Sequence, residues 1–226
     1  MRQEITAVIE EYLEAIFRLQ EKSGAARTND LVKMLDVAPG TVTNTVERLE
    51  RESYITHVPY RGVKLTEKGN KIAVQVLRRH RLSERLLTDI LHVEWDKVHE
   101  AACRLEHGMT EEILDSLEKA LNHPKTCPHG NPIPTQRGNI VEQETESLTE
   151  LGVREKGTIV KIVDENQELL RYLDTRGIAP GVSVEVAEKA PFDGPITIKI
   201  NEAARALSRD VASIIKVKKT KTRRSK

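Results

Sequence analysis

The stretch from residue 28 to residue 66 constrains the fold of this chain more than any other segment. A short amphipathic helical pattern over residues 28–35, with N-cap candidates at its start, leads through a Pro-Gly turn into a second one over residues 41–51. Two runs of alternating polar and apolar residues then flank a turn at residues 59–62. A longer helical pattern at residues 4–20 precedes this whole segment. This order is typical of a winged helix-turn-helix, although any small helical domain with a hairpin would show part of it.

A winged helix-turn-helix reads DNA with the N-terminal residues of its second helix, which enter the major groove. Those residues are small and polar in this chain, which permits close approach to bases and phosphates. Asn44 offers the amide that pairs with adenine, and threonine methyl groups can contact the methyl group of thymine. Arg61, at the tip of the wing, is placed to meet a phosphate. The predicted DNA-contacting residues are Thr28, Ala38, Pro39, Gly40, Thr41, Thr43, Asn44 and Arg61.

The charge of this domain is balanced, which limits how tightly it can hold DNA by itself. Residues 1–71 contain eleven Lys or Arg and eleven Asp or Glu, and the whole chain carries a net charge of only +1. Because DNA binding depends on neutralising phosphates, such a domain needs to act as a dimer or to have its carboxylates cancelled by a cation. Glu11 is a candidate ligand for that cation, and the basic tail is a weak additional DNA contact.

The stretch from residue 80 to residue 107 carries potential metal ligands at helical offsets of three and four. They are His80, Glu84, His99, Cys103, Glu106 and His107. On an α-helix the last four of these share one face, and imidazole, thiolate and carboxylate together form the donor set of a transition-metal site. Any one of these side chains is more simply explained as an exposed residue of an amphipathic helix, but six of them in phase favour a metal site.

A Pro-rich loop over residues 123–134 contains Cys127 and His129, two residues apart. In an extended segment these side chains lie on the same side and can share a metal, and a buried structural Cys beside a surface His is an equally good interpretation. No export signal opens the chain and no apolar run is long enough to span a bilayer. We therefore predict a cytoplasmic protein without a membrane partner, whose two cysteines are free thiols or metal ligands.

The rest of the chain predicts a mainly α fold with a small β domain. The amphipathic helices after residue 71 are too few for a separate core, which predicts pairing with a second copy as a homodimer. From residue 156, short β-branched runs predict a small SH3-like β-barrel with helices at residues 167–175 and 203–210. The predicted domains are a winged helix-turn-helix at 1–71, a helical dimerisation and metal-binding domain at 72–141, a linker at 142–152, an SH3-like domain at 153–218 and a basic tail at 219–226.

Several segments of the chain resemble the diphtheria-toxin-repressor family of metal-dependent transcriptional regulators. They are EEYLEAIFRL at 10–19, VAPGTVTNTVERLE at 37–50, HRLSERLLTDIL at 80–91, KVHEAACRLEH at 97–107 and HPKTCPHGNPIP at 123–134. The segment RYLDTRGIAPGVSVEV at 171–186 is similar to the SH3-like domain that this family shares with the ferrous-transport protein FeoA.

The resemblance implies two metal sites per subunit. The primary site would use Glu11, Cys103, Glu106 and His107. The ancillary site would use His80, Glu84, His99, Asp164 and Gln167, with Cys127 and His129 as an alternative set that manganese-sensing relatives suggest. The resemblance also implies a homodimer that binds a palindromic double-stranded DNA operator and represses metal-uptake genes when metal is plentiful.

The predicted metal depends on the positions at which this chain differs from the iron-responsive and the manganese-responsive members of the family. Iron-responsive members carry Met at the position of Glu11 and Cys at that of Cys103, whereas manganese-responsive members carry carboxylates at both and a further carboxylate that matches Glu14. This chain is mixed, and a thiolate favours Fe²⁺ over Mn²⁺. We predict Fe²⁺ as the activating metal, with Mn²⁺ as the alternative. A metallohydrolase is disfavoured because no HExxH motif is present, so we predict no enzymatic activity, and a redox sensor that uses Cys103 and Cys127 is the second alternative.

Overall fold

The computed structural model describes residues 5–220, which divide into two compact units. The first unit extends to His80 and also includes Leu105–Thr110 and Pro134–Ile140. The second unit comprises Arg81–Arg104, Glu111–Ile133 and the chain from Val141 onward. Across the described residues, no helix is both long and apolar enough to cross a membrane.

The first unit contains the predicted winged helix-turn-helix. Its elements are α1 (Ala7–Ser23), α2 (Thr28–Leu35), α3 (Pro39–Arg51), β1 (Ile55–Val58), β2 (Gly62–Leu65) and most of α4 (Glu67–Arg85). Gly24 ends α1 in the left-handed conformation that a helix C-terminus favours. The buried core is built from aliphatic residues of every element, which include Leu13, Ile16, Leu31, Leu49, Ile55 and Leu77. The local patterns therefore assemble as the sequence predicts.

The wing is anchored to the start of α2 by a pair of backbone hydrogen bonds. Ala26 and Val63 exchange N–H···O bonds of 2.9 Å in both directions. Gly62, with φ +112°, allows this approach, because a Cβ atom at that position would lie 2.1 Å from Ala26 O. The hairpin and the helix-turn-helix are thereby held in one arrangement.

Two details of the helix-turn-helix differ from the prediction. The N-cap of α2 is Arg27, which makes no side-chain cap, so residues 28–30 lie inside the helix. The second helix begins at Pro39 and not at residue 41. The fixed φ of proline suits the first position of a helix, where its missing N–H costs nothing.

The helical segment after the wing contains irregular turns. Helix α4 continues into a π-helical turn at Leu86–Ile90, and α5 (Val98–Leu105) leads into a 3₁₀ turn at Glu106–Gly108 before α6 (Glu111–Ala120). The prediction that one α-helix carries His99, Cys103, Glu106 and His107 is therefore wrong for the last two residues. Glu106 and His107 project from the tighter turn, where offsets of three and four no longer define one face.

The C-terminal part of the second unit is a six-stranded antiparallel sheet with the order β3-β8-β4-β5-β6-β7. Its strands are β3 (Glu146–Ser147), β4 (Lys156–Ile162), β5 (Ser183–Lys189), β6 (Ile196–Ile200), β7 (Ala203–Leu207) and β8 (Ile215–Lys219), and its helices are α7 (Gln167–Asp174) and α8 (Arg209–Ile214). The core is almost entirely Ile, Leu and Val. This is the small β domain that the sequence predicts.

Two predictions for this part need correction, and a third falls mostly outside the described residues. Residues 203–207, expected to be helical, form strand β7, which pairs with β6 from Ile200↔Ala203 to Ile196↔Leu207. The expected linker at 142–152 contains β3, and Leu148 and Leu151 are fully buried in the core. Cross-strand pairing and burial override local propensity in both segments. Of the expected basic tail, Lys219 belongs to β8, and residues 221–226 lie outside the described residues.

Candidate metal centres and DNA-contacting surface

The first candidate centre lies around the 3₁₀ turn of the first unit. His80 Nδ1 lies 2.7 Å from Glu106 Oε2, and both side chains are buried. One ligand atom each from Glu14, His80 and Glu106 falls within 4.8 Å of the others. The other oxygen of Glu106, Oε1, lies 3.4 Å from His107 Nε2. Glu106 is therefore shared between two imidazoles and stands at the middle of this centre.

The imidazole of His107 is held in one orientation. Its Nδ1 lies 2.8 Å from Glu10 Oε2, and because a carboxylate only accepts, Nδ1 carries the proton. Its Nε2 lies 3.7 Å from Glu11 Oε1 and has no hydrogen-bond partner in the described structure. A ring nitrogen with a lone pair that faces the carboxylates of Glu11 and Glu106 is suited to a cation between them.

Electrostatics in this centre also favour a cation. Burial raises the pKa of the Glu106 carboxyl, Glu14 raises it further, and the neighbouring His80 and His107 lower it. Buried carboxylates that destabilise each other's charge are the arrangement that a divalent cation relieves. Glu14 already has a positive partner, because Arg18 donates to its Oε1 from Nε at 3.0 Å and from Nη2 at 2.8 Å.

The second candidate centre lies in the second unit. Glu84, Cys127, His129 and Glu165 each place a ligand atom within 4.8 Å of the others, and all four are buried. Burying two carboxylates is costly unless they are paired with positive charge or coordinate a metal. Two oxygens, one nitrogen and one sulfur form a donor set for a transition metal.

The tautomer of His129 supports a cation in this centre. Its Nε2 lies 3.1 Å from the carbonyl oxygen of Trp95, which can only accept, so Nε2 carries the proton. Its Nδ1 faces Glu84 Oε1 at 3.4 Å and Glu165 Oε1 at 3.8 Å. Although burial opposes its charge, Glu84 and Glu165 raise the pKa of His129, and a cation bound among these groups would take the place of the proton on Nδ1. A backbone carbonyl that orients a histidine in this way is common around protein-bound metals.

The thiol of Cys127 and the imidazole of His99 complete the surroundings. Burial raises the pKa of the Cys127 thiol, and the charges of Glu84 and Glu165 raise it further, so the thiol is neutral unless a metal displaces its proton. His99 Nδ1 lies 3.2 Å from Glu165 Oε2 and 3.5 Å from Glu84 Oε1. Although burial opposes its charge, hydrogen bonds to Cys103, Glu165 and Glu84 raise the pKa of His99 to about 11.

A loop contact with strand β4 holds Glu165 and the cysteine–histidine loop in place. Asn131 Nδ2 donates to Glu165 Oε1 at 2.9 Å and to Ile162 O at 3.0 Å. Ile162 N donates to His129 O at 2.9 Å. The two halves of the second centre are therefore tied together by hydrogen bonds that need no metal.

The predicted DNA-contacting residues form an exposed surface on the first unit. Ala38, Pro39, Gly40, Thr41, Thr43 and Asn44 are exposed around the N-terminal turns of α3, and Thr28 and Arg61 are exposed at the start of α2 and on the wing. The hydroxyl of Thr43 donates to Pro39 O at 3.1 Å, which leaves its methyl group for other contacts. We find none of these residues engaged in the core.

Three family models match the chain in succession. They are "Iron dependent repressor, N-terminal DNA binding domain" at residues 4–63, "Iron dependent repressor, metal binding and dimerisation domain" at 66–135 and "FeoA domain" at 146–219. The chain is 34% identical over 233 residues to the iron-dependent repressor IdeR of Mycobacterium tuberculosis H37Rv, covering 96% of this chain and 99% of that protein. The chain belongs to the iron-dependent repressor family of metal-dependent transcriptional regulators.

Other members of this family are similar in sequence and in structure. The diphtheria toxin repressor of Corynebacterium diphtheriae is 31% identical over 221 residues, which cover 92% of this chain and 95% of that protein. A manganese-dependent transcriptional repressor in complex with manganese superposes with a TM-score of 0.86 at 28% identity, over 94% of this chain and 100% of that one. IdeR of T. acidophilum superposes with a TM-score of 0.82 at 29% identity, over 93% and 97%.

Within this repressor, the primary-site residues predicted from the resemblance are divided between the units. Glu11, Glu106 and His107 belong to the first unit, whereas Cys103 belongs to the second, where its Sγ lies 3.9 Å from His99 Nε2. Glu106 and His107 lie within the stretch that the metal-binding and dimerisation model matches, and they pack in the first compact unit.

Of the residues predicted for the ancillary site, Glu84 and His99 are in contact, with His99 Nδ1 at 3.5 Å from Glu84 Oε1. His80 lies in the first unit, beside Glu106, whereas Glu84 and His99 lie in the second. Asp164 is not among the His, Cys, Asp and Glu groups that converge within the described residues, and its Oδ1 accepts from the backbone N–H of Asn166 at 3.1 Å. Gln167 begins α7.

Sequence reasoning missed two residues that the structure brings to these centres. Glu165, next to Asp164, joins the second centre, and Glu10, which is not among the predicted site residues, contacts His107. For Glu165 the only signal was its place in an acidic turn after a strand. For Glu10 no local signal distinguishes it from the other glutamates of α1.

Proposed function

We propose that this repressor is activated by Fe²⁺ at two centres per subunit, and that the active form is a homodimer that represses metal-uptake genes from a palindromic operator. The observation that carries this proposal is a pair of buried clusters of potential ligands. The cluster in the DNA-binding unit is Glu14, His80 and Glu106, and the cluster in the second unit is Glu84, Cys127, His129 and Glu165. Buried carboxylates and imidazoles in such numbers are stable only when positive charge joins them.

The first centre would be formed by Glu11, Glu106 and His107, with Cys103 assigned to it by the resemblance. Glu14 and His80 support it from the other side of Glu106. A bound metal supplies positive charge that draws these donors together. Glu11 lies on α1 and the other two on the 3₁₀ turn, so that drawing them together fixes α1 within the unit that carries the recognition helix.

The second centre would be formed by Glu84, Cys127, His129 and Glu165. This choice favours the Cys127–His129 set over the set that contains His99, Asp164 and Gln167. His99 then serves as a charged neighbour of the two carboxylates, at 3.2 and 3.5 Å. Its contacts orient Glu84 and Glu165 towards the remaining donors.

The donor types support Fe²⁺ as the activating metal. The second centre contains a thiol, and the resemblance assigns another, Cys103, to the first. Thiolates bind Fe²⁺ in preference to Mn²⁺, whereas the surrounding carboxylates accept either ion. Relatives named for iron and for manganese both match this chain, so Mn²⁺ is the alternative. A redox sensor through Cys127 is disfavoured, because its raised pKa makes the thiol a poor nucleophile.

Dimerisation would place two recognition helices on one operator. Half-sites about 34 Å apart match successive turns of DNA. The second unit exposes apolar side chains that a partner copy can cover, namely Ile90, Leu91 and Ile113. Pairing two electrically balanced DNA-binding units also doubles the number of phosphate contacts, which compensates for their low net charge.

The test is DNA binding under anaerobic conditions during titration with Fe²⁺ or Mn²⁺. We expect a specific complex with dimer stoichiometry that forms with Fe²⁺ at lower concentration than with Mn²⁺ and dissociates when a chelator is added. Equal affinity with and without chelator would contradict metal activation. Binding that responds to thiol oxidation in metal-free protein would instead support the redox alternative.

A further inference from the structure

We propose that Glu10 is a positioning residue for the first metal centre: its carboxylate holds the proton of His107 on Nδ1 and so keeps Nε2 available as a metal ligand. This inference rests on the proposed function and concerns a residue that does not itself contact the metal. Glu10 and Glu11 are neighbours on α1, and the structure gives them different surroundings.

Both carboxylate oxygens of Glu10 are engaged. Oε1 pairs with Arg79 Nη2 of α4 at 2.5 Å, and Oε2 pairs with His107 Nδ1 of the 3₁₀ turn at 2.8 Å. The Glu10 side chain is only 16% exposed, whereas that of Glu11 is 50% exposed. Glu10 is therefore enclosed between two cationic or donor groups, and Glu11 is the one left to reach a metal.

The hydrogen bond from His107 decides the chemistry of the other ring nitrogen. With one proton fixed on Nδ1, Nε2 is the nitrogen that a cation between Glu11 and Glu106 would bind, and it lies 3.7 and 3.4 Å from their carboxylate oxygens. Both distances exceed the usual N···O distance of a hydrogen bond, so neither carboxylate forms a good hydrogen bond with Nε2. A carboxylate that accepts the other ring N–H of a histidine also makes that histidine a stronger metal ligand.

Without Glu10 the balance of tautomers should reverse. The acceptors that remain around the ring, Glu11 and Glu106, both lie on the Nε2 side. The proton would then move to Nε2, where it hydrogen-bonds to a carboxylate and blocks the lone pair. The loss of Glu10 thus acts through the tautomer of His107 and not through a missing ligand.

Arg79 holds the Glu10 carboxylate in place. Its guanidinium neutralises the Glu10 carboxylate, which would otherwise add to the negative charge of Glu11, Glu14 and Glu106. The pair also joins α1 to α4. Glu10 therefore orients His107 from a fixed position, whereas Glu11 on the same helix is left for the metal.

The experiment compares Glu10→Gln and Glu10→Ala with the parent, using Mn²⁺ alone as the probe. Free Mn²⁺ is measured by electron paramagnetic resonance, and the tautomer of His107 is read from ¹⁵N chemical shifts in metal-free protein. Glu52→Gln is the matched control, because Glu52 also pairs with an arginine, Arg48, and its side chain is 15% exposed. The fluorescence of Trp95, the sole tryptophan, reports the second centre separately, since its ring lies 5.0 Å from that of His129.

We expect Glu10→Ala to bind Mn²⁺ at the first centre about 10- to 100-fold more weakly, the range typical for loss of such a supporting group. Its His107 should carry the proton on Nε2. Glu10→Gln, whose amide oxygen still accepts from Nδ1, should lie between Glu10→Ala and the parent in both measurements. The response of Trp95 and the behaviour of Glu52→Gln should match the parent.

An unchanged affinity, or an unchanged tautomer in Glu10→Ala, would overturn the inference and leave the proposed function intact. A parent protein that binds no Mn²⁺ and no Fe²⁺ would overturn both. A variant that weakens both centres equally would show a general structural role for Glu10 and would also overturn the inference.

Discussion

Replacing Gly130 by alanine should remove the second metal centre and leave the first. Gly130 has φ +87°, and a Cβ atom there would lie 2.0 Å from Val160 O and 2.8 Å from Lys161 Cα. Since real Cβ atoms do not approach backbone closer than 3.0 Å, the loop must withdraw by 3.0 − 2.0, or about 1 Å. Metal ligands tolerate displacements of about 0.2 Å. Cys127 and His129, on the displaced loop, would then no longer share a metal with the remaining ligands.

The control for this prediction is Gly181→Ala. Gly181 has φ +89°, almost the same as Gly130, and a Cβ atom there would meet nothing within 4 Å. Both substitutions carry the backbone strain of a positive φ, about 1–3 kcal/mol, so both should lower the melting temperature of the metal-free protein. Only Gly130→Ala adds the collision with β4.

The assay counts bound metal per subunit after equilibration with Fe²⁺ under anaerobic conditions, together with the fluorescence of Trp95. We expect two equivalents for the parent and for Gly181→Ala, and one equivalent with no Trp95 response for Gly130→Ala. If Gly130→Ala retains two equivalents and the parent's fluorescence change, the loop is not required to hold the second centre and the assignment of Cys127 and His129 is wrong.

Three further substitutions test the remaining assignments. Asn44→Ala should weaken operator binding by about 1–3 kcal/mol through loss of a base contact, and its metal affinity should not change. Operator affinity equal to that of the parent, in a titration of labelled operator, would mean that α3 does not read bases through this residue. Cys103→Ala should reduce Fe²⁺-activated DNA binding more than Mn²⁺-activated binding, measured by gel shift across both titrations, and behaviour identical to the parent with Fe²⁺ would remove the thiolate argument for iron. Glu11→Ala should abolish activation of DNA binding by either metal, although some metal should still bind. Bound metal is counted separately from DNA binding. A Glu11→Ala variant that either metal still activates would contradict a role for α1 in the switch.

The sequence was sufficient where the determining interactions are local. The helix-turn-helix and the wing follow from apolar periodicity and from local signals such as Pro39 at the start of α3 and Gly62 in the wing, because each element is specified by neighbours a few residues away. The Ala26–Val63 contact that joins them requires a glycine at 62, which the sequence supplies. The chemical types of the ligands were also evident, since imidazoles, thiols and carboxylates recur in the same segments.

Local propensity misled where distant pairing prevailed. Ala203–Leu207 is composed of good helix formers, yet it forms a strand because β6 offers five consecutive partners. Leu148 and Leu151 lie in a polar stretch without periodicity, yet they are fully buried because the neighbouring β3 pairs with β8. In both segments the free energy of burial and pairing exceeds the small preferences of single residues.

The sequence by itself determined which elements form and which kinds of donor are present, and the tertiary structure decided which donors meet. Glu165 rather than Asp164 reaches Cys127 and His129, because successive residues point in different directions from the turn after β4. Glu10 contacts His107 Nδ1 while Glu11 lies on the Nε2 side of the same ring, because one step along α1 rotates the side chain by about 100°. Spacing along the chain defines the faces of a single element, but the convergence of ligands depends on how separate elements pack, and that information is not local.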